Sequence, residues 1–146
     1  MLHLPERSEQ MTDATMARRC GASGPGAPPA AIAGVIDRIQ KHLEGEAQDF
    51  RDVPLDLEGA GPFARRVYEA ARKIPSGQTK TYGEIAKAVN RPRAARAVGQ
   101  ALGKNPVAIL IPCHRILGAG GKPGGFSAYG RLTTKARMLA VEGRTL

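Results

Sequence analysis

Residues 105–117 read NPVAILIPCHRIL, an apolar run that leads into a cysteine, a histidine and an arginine. The run at residues 107–111 favours a short buried strand, which would carry Cys113 out of the core at its end. A free cysteine becomes a nucleophile when a nearby base or cation favours its thiolate. His114 is adjacent, but alternate side chains of a strand point to opposite faces. An isolated cysteine in such a run is more often inert, so the stretch alone leaves both readings open.

A glycine-rich segment follows the cysteine. Residues 118–130, GAGGKPGGFSAYG, include six glycines, too many for a helix or a regular strand. We expect a loop that approaches a ligand closely. The segment has neither GxxxxGK[ST] nor a GxGxxG between a strand and a helix, which argues against a nucleotide site. Helical spacing over residues 132–143 then brings Glu142 to the end of a last helix, as a candidate acid for a Cys–His–acid arrangement.

Two short helices joined by a tight turn are predicted upstream of the cysteine. Thr81 and Glu84 have the spacing of a capping box, which starts the first helix. Asn90 and Arg91 form the turn, and Pro92 starts the second helix. The pattern is typical of a helix-turn-helix, with an ordinary helical hairpin as the alternative.

The outer face of the second helix combines positive charge with small side chains. Arg93 and Arg96 are three residues apart, and Ala97 and Gly99 keep the nearby surface low. Such a surface allows close approach to a DNA backbone. A solvated face is the more common meaning of so short a pattern.

The distribution of charge favours the nucleic-acid reading. Residues 62–146 carry 16 basic and three acidic side chains, a net charge of +13, whereas residues 1–61 carry six basic and ten acidic ones. A surface that basic attracts a polyanion through counterion release. Nucleic acid is therefore the expected partner.

The chain divides into three parts. Residues 1–30 include GASGPGAPPA and lack sustained periodicity, which predicts a disordered tail. Residues 31–61 contain one amphipathic helix and an extended segment in which apolar and polar residues alternate. Residues 62–146 form the third part, with the helix pair and the cysteine.

Composition limits the remaining function classes. The 146 residues, 42% of them hydrophobic, are typical of one globular unit or a small pair. No apolar stretch approaches the roughly 20 residues of a membrane helix, and the start has no apolar signal region, so we expect no membrane partner and a cytoplasmic location. Two cysteines, Cys20 and Cys113, with three histidines give neither a disulfide framework nor zinc spacing. We expect no metal and no cofactor.

The run NPVAILIPCHRIL, preceded by AARAVGQAL and followed by GGFSAYG, resembles the C-terminal domain of the O6-alkylguanine-DNA alkyltransferases, also called methylated-DNA–protein-cysteine methyltransferases. The resemblance covers about residues 62–143. It implies an α+β fold with a mainly helical C-terminal DNA-binding domain, a helix-turn-helix and a short strand leading to the PCHR site. Relatives usually carry a sheet-containing N-terminal domain, so residues 31–61 are expected to be an abbreviated remnant of it.

The resemblance implies roles for the residues around the cysteine. Cys113 is the alkyl acceptor, and Asn105, His114 and Glu142 prepare its thiolate. Tyr82 crowds the phosphate of the target nucleotide and hydrogen-bonds the extruded guanine.

The same resemblance implies contacts with DNA and with the substrate base. Arg96 enters the base stack, and the second helix lies in the minor groove. The further DNA-binding residues are then Tyr82, Arg93, Ala97, Gly99 and Arg115. The carbonyl of Ile116 accepts from the guanine amine, the backbone of Ser127 contacts the guanine oxygen, and Phe126 stands where many relatives have tyrosine.

The implied function is direct reversal of DNA damage. The partner is double-stranded DNA containing O6-alkylguanine, and a monomer transfers the alkyl group irreversibly to Cys113. A non-enzymatic damage sensor is one alternative, although such proteins lack the acceptor cysteine. A helix-turn-helix regulatory module would leave PCHR unexplained, and a cysteine hydrolase would have no use for the basic half.

Overall fold

A computed structural model of the chain describes residues 7–20, 26–125, 130 and 132–145. Within these residues, six α-helices accompany one two-stranded sheet. The elements are α1 Glu9–Cys20, α2 Ala30–Leu43, α3 Pro62–Arg72, β1 Lys80–Thr81, α4 Tyr82–Ala88, α5 Ala95–Gly103, β2 Ile116–Leu117 and α6 Leu132–Val141. Cys113–Arg115 and Ala119–Gly121 form short 3₁₀ turns. The expected α+β class is confirmed.

Local signals start two helices where the sequence places them. Pro62 is the first residue of α3, a position whose N–H has no helical partner in any case. The side chain of Thr81 accepts from the backbone N–H of Glu84, and the Glu84 carboxylate accepts from the N–H of Thr81, which completes the capping box of α4. The helix α5 begins at Ala95, three residues later than expected, because a turn follows Pro92.

One buried core joins α3, α4 and α5 to the cysteine turn. Its members are Val67, Tyr68, Ala71, Ile74, Ile85, Ala86, Val89, Val98, Ala101, Leu102, Ile111 and Ile116. The hydroxyl of Tyr68 donates to the carbonyl of Ala101 at 2.9 Å, so the polar group of this buried ring is satisfied between α3 and α5. The parallel pairing of β1 with β2 ties the residues after the cysteine to the start of α4.

The segment before the cysteine is a turn, which corrects the strand expected at residues 107–111. An isolated bridge joins Ala108 to Ile111 there, and Ile109 has a φ of +72°. A β-branched residue in the left-handed region carries steric strain and cannot continue a strand. The run is buried as its composition predicts, but as a compact turn. The short strand, β2, follows the PCHR site instead of leading to it.

The helix α2 packs onto the C-terminal part of the chain. Val35 and Ile39 on its inner face contact a second buried cluster. That cluster consists of Phe50, Ile109, Leu110 and Met138. The N-terminal segment therefore covers the turn that precedes the cysteine.

The stretch after α2 is extended but forms no ladder. Val53, Leu55 and Leu57 are half-buried and alternate with exposed residues, as expected, while no strand is assigned there. The guanidinium of Arg72 in α3 donates to the carbonyls of Phe50 and Val53 at 2.6 and 2.7 Å. The Arg72 side chain therefore satisfies carbonyls that would otherwise accept hydrogen bonds from a neighbouring strand.

The helix α1 lies where the sequence predicts a disordered tail. It begins after Ser8, whose Oγ accepts from the backbone N–H of Met11 at 3.3 Å. Its described side chains are exposed or half-buried, so it has no apolar stripe. Hydrophobic spacing carries no signal for such a helix.

Candidate active site

The side chain of Asn105 holds the turn that delivers the cysteine. Its Nδ2 donates to the carbonyl of Ile111 at 2.8 Å, and its Oδ1 accepts from the N–H of Val107 at 2.9 Å. These two bonds clamp both ends of the turn. Asn105 also lies close enough to the Cys113 thiol to lower its pKa. One amide therefore shapes the turn and contacts the thiol.

Cys113 opens onto a pocket of about 760 Å³. The walls come from α4, α5 and the glycine-rich segment. The lining residues are Thr81, Tyr82, Gly83, Ala95, Arg96, Gly99, Gln100, Leu102, Gly103, Cys113, Ala119 and Gly125. Small-molecule sites occupy about 300–1,000 Å³, so a single nucleobase fits a pocket of this size.

The Cys113 thiol is protonated in the resting protein. Burial raises its pKa above the usual value. The hydrogen bond from Asn105, the positive charge of Lys135 and nearby backbone N–H groups act in the opposite direction without overcoming burial. The thiol must therefore lose its proton as it reacts, which requires a base.

A buried carboxylate lies at the centre of a charged cluster behind the cysteine turn. The side chain of Glu142 is fully buried, and its Oε1 accepts from His114 Nε2 at 2.9 Å, from Arg115 at 2.7 Å and from His42 Nε2 at 3.0 Å. Burial alone would raise the pKa of Glu142. The hydrogen bonds from His114, His42 and Arg115 outweigh it and hold that pKa far below its usual range. Glu142 is therefore ionised at neutral pH.

His114 is a neutral base under the same conditions. Burial lowers its pKa, and the pull of Glu142 only partly offsets that effect. The hydrogen on Nε2 points to the carboxylate, so Nδ1 carries the lone pair. The structure thus brings together Cys113, Asn105, His114 and Glu142, the four residues that the sequence singles out around the thiol.

Tyr82 forms one wall of the pocket. Its hydroxyl donates to the carbonyl of Gly125 at 3.1 Å. Its ring lies against Gly99 and Gly124, and a Cβ on Gly124 would come within 2.8 Å of the ring. Two glycines therefore leave the room that the ring occupies.

Lys135 is a site residue that the sequence analysis missed. Its side chain is fully buried, and its Nζ donates to the carbonyl of Ile116 at 2.6 Å and lies 5.9 Å from the centroid of the Tyr82 ring. Burial lowers its pKa to about 8. One sequence feature could have identified it: Lys135 lies on the same face of α6 as Leu132 and Leu139 and interrupts their apolar stripe.

Comparison with known proteins connects this site to a family. The family described as 6-O-methylguanine DNA methyltransferase, DNA binding domain, matches residues 62–144. The chain belongs to this family. A methylated-DNA–protein-cysteine methyltransferase of Mycolicibacterium paratuberculosis is 47% identical over 116 residues, which are 80% of this chain and 68% of that protein.

Solved structures of the 6-O-methylguanine DNA methyltransferase family agree with this fold. The OGT of Mycobacterium tuberculosis in complex with DNA has a TM-score of 0.71 and 44% identity, covering 79% of this chain and 69% of its own. The O6-methylguanine-DNA methyltransferase of Pyrococcus kodakaraensis has a TM-score of 0.68 and 32% identity, covering 93% and 78%.

Within this methyltransferase fold, one expected DNA contact needs correction. Arg115 is only 6% exposed, and its guanidinium donates to Glu142 and, at 2.5 Å, to the carbonyl of Ile74. A side chain enclosed in this way cannot reach a DNA backbone. Its positive charge instead balances that of the buried carboxylate.

The remaining predicted residues of the methyltransferase site fall in different places. Arg93 and Arg96 are exposed, and Arg96 borders the Cys113 pocket. Ala97 lines a separate cavity beside Tyr68. The carbonyl of Ile116, expected to meet the guanine amine, already accepts from Lys135.

Two predicted substrate-binding residues, Phe126 and Ser127, lie outside the described residues. Over residues 7–20, 26–125, 130 and 132–145, no group of three or more His, Cys, Asp or Glu side chains is placed to hold a metal ion. No helix in that part of the chain has the length and apolar character needed to cross a bilayer.

Proposed function

We propose that the protein repairs O6-alkylguanine in double-stranded DNA by transferring the alkyl group to its own Cys113. The observation that carries this proposal is the position of the thiol. It faces a pocket bordered by Tyr82 and Arg96, with Asn105 beside it and the His114–Glu142 pair close behind. Membership of the 6-O-methylguanine DNA methyltransferase family supports the same chemistry.

The reaction is an in-line displacement at an sp³ carbon. The bond from Cys113 Sγ to the alkyl carbon forms while the bond from that carbon to guanine O6 breaks. His114, which is neutral at neutral pH, takes the thiol proton through a water molecule. The leaving guanine takes up one proton, so one proton passes from the thiol to the base overall. No group removes the alkyl from the resulting thioether, and each molecule acts once.

The departing guanine needs stabilisation where negative charge develops. Donors fixed in advance around a buried site provide it at little cost of reorganisation. The backbone of the glycine-rich segment borders the pocket and supplies such donors. The hydroxyl of Tyr82, which now donates to the carbonyl of Gly125, becomes another donor when it turns to the bound base. Lys135 adds a buried positive charge behind the Tyr82 ring.

Access to the lesion requires that the base leave the duplex. Extrusion costs a few kcal/mol, and less for a base that pairs badly. In this proposal α4 and α5 act as the helix-turn-helix, α5 lies in the minor groove, and the exposed Arg96 fills the space that the base vacates. The small side chains on α5 suit such a close approach. The protein acts as a monomer in the cytoplasm.

The proposal is tested by mixing the protein with a duplex that contains one O6-methylguanine and measuring intact mass and peptide mass. The chain has two cysteines, Cys20 and Cys113, which provide a matched pair of variants. We expect one methyl per molecule on the Cys113 peptide in the wild type and in Cys20→Ala, and none in Cys113→Ala.

Other results identify a different function. Tighter binding to the damaged duplex than to an undamaged one, without methyl transfer, would indicate a damage sensor. Binding that follows DNA sequence and ignores the lesion would indicate a regulatory module. A methyl on Cys20 would refute the assignment of the acceptor.

A further inference from the structure

The helix α2 contributes one side chain to the cluster around Glu142. His42, in the last turn of α2, is 1% exposed, and its Nε2 lies 3.0 Å from Oε1 of Glu142. The same oxygen accepts from Nε2 of His114 at 2.9 Å. Two histidines from distant parts of the chain therefore share one carboxylate oxygen. His42 lies outside residues 62–144, which the family description covers.

The contacts of His42 define where its hydrogen lies. The backbone N–H of Gln48 donates to Nδ1 at 3.3 Å, so Nδ1 is an acceptor and carries no hydrogen. The hydrogen must then lie on Nε2, directed at Glu142. Phe50 meets the ring edge-on at a centroid distance of 5.6 Å and restricts its plane. His42 is thus a donor to Glu142 that is held in one orientation.

We propose that His42 is a positioning residue for the reaction at Cys113. By donating to the shared oxygen of Glu142, it fixes the carboxylate and keeps His114 with its hydrogen on Nε2 and its lone pair on Nδ1. The hydrogen bond at one ring nitrogen decides which nitrogen of a histidine remains basic. The inference rests on the proposed function, in which His114 is the base.

Sharing the oxygen also affects when His114 becomes protonated. The charged and titratable groups that face His114 are Glu142 after α6, Arg115 in its own turn and His42 from α2. Burial is the main cause of the lowered pKa of His114, and the positive charge of Arg115 adds to that lowering. The donated hydrogen bond weakens the attraction of Glu142 for a second proton on His114. The base therefore stays neutral to lower pH.

The test compares single-turnover methyl transfer from pH 5.5 to 8.5 in full-length variants. His42→Leu removes the donor, whereas His42→Gln keeps an amide N–H that can reach Glu142. Gln40→Leu places the same new side chain on an exposed position of α2 as the control. A hydrogen bond to a charged group is worth about one pKa unit or more, so we expect the acid limb of His42→Leu to move up by about one pH unit.

The variants should separate positioning from a purely structural role. In His42→Leu, transfer slows most at the acid end of the range, by up to about tenfold, and least at pH 8.5, as follows from a displaced acid limb. His42→Gln and Gln40→Leu keep the wild-type profile. A folded His42→Leu whose pH profile superimposes on that of the wild type would overturn the proposal.

A second measurement needs neither the reaction nor a folded His42→Leu variant. Nitrogen-15 spectra of the wild type at pH 7.5 should show both His42 and His114 with their hydrogen on Nε2. An Nδ1–H form of either ring refutes the proposal, even if the wild type transfers no methyl. Absence of methyl transfer together with the expected ring forms would instead refute the proposed function alone.

Discussion

Replacing Glu142 by glutamine is the sharpest test of the buried cluster. The substitution keeps the size of the side chain but removes its charge and one acceptor oxygen. Arg115, 6% exposed, would keep its charge without a counter-ion, and an amide N–H would face the donors that now meet the carboxylate. Removing one partner of a buried ion pair costs about 3–5 kcal/mol. We expect the lower end for Glu142→Gln, because one oxygen remains.

Urea unfolding measures this loss. For a slope of about 2 kcal/mol per molar, 3 kcal/mol lowers the midpoint by about 1.5 M. Glu69→Gln makes the same chemical change at an exposed position and should alter stability by less than about 0.5 kcal/mol. Methyl transfer by folded Glu142→Gln should slow by about 10²-fold, because the base loses its orienting partner. Equal urea midpoints for Glu142→Gln and the wild type would refute this account of the cluster.

The pKa of Glu142 is lowered in the folded protein, so the carboxylate stabilises the fold above its usual pKa of 4.5 and does so less as the pH falls below that value. The difference in urea midpoint between the wild type and Glu142→Gln should therefore narrow from pH 5 to pH 3.5. A constant difference would contradict this prediction. Gly124→Ala should slow transfer more than Gly120→Ala in the single-turnover assay, since both glycines have positive φ but only a Cβ at 124 meets Tyr82; equal rates would contradict this. Arg96→Ala should slow transfer from duplex DNA by about tenfold or more and leave the reaction with free O6-methylguanine base unchanged. The reason is that the Arg96 guanidinium stabilises only the DNA from which the base has been extruded. Equal slowing of both reactions would instead indicate that Arg96 takes part in the transfer step. The pKa of Lys135 falls from 10.5 to about 8 on folding, so its proton is lost more easily from the folded state. In urea titrations, the free energy of unfolding of Cys113→Ala minus that of Cys113→Ala/Lys135→Met should therefore be about 2–3 kcal/mol larger at pH 10 than at pH 7.5. The same difference at both pH values would contradict a buried charged lysine.

Local chemistry made much of the C-terminal part predictable. Pro62 and the Thr81–Glu84 pair start their helices through contacts within a few residues, which the sequence displays directly. Apolar spacing failed where backbone conformation decides the outcome. The run before Cys113 has the composition of a strand, yet the side chain of Asn105 closes it into a turn with Ile109 at positive φ.

The parts of the site that the sequence did not reveal depend on contacts between distant residues. His42 meets Glu142 across 100 positions, and no local pattern marks a histidine in an amphipathic helix as part of a buried cluster. Arg115 belongs to a basic motif, and only the enclosing fold shows that its charge is turned inward. Residues 31–61 are thus more than a leftover of a larger domain, since they complete the cluster behind the thiol.

The crowding of donors on Glu142 has a consequence for how substitutions combine. Its Oε1 serves His42, His114 and Arg115 together, so removing one donor changes the bonds that the other two make. The free-energy changes caused by substitutions in one network do not add, and the departure from additivity is commonly about 0.5–3 kcal/mol in either direction. The measured worth of each donor will therefore depend on which of the others is present. Related chains that differ at one of these three donor positions are therefore expected to differ at another of them as well, so that the positions covary.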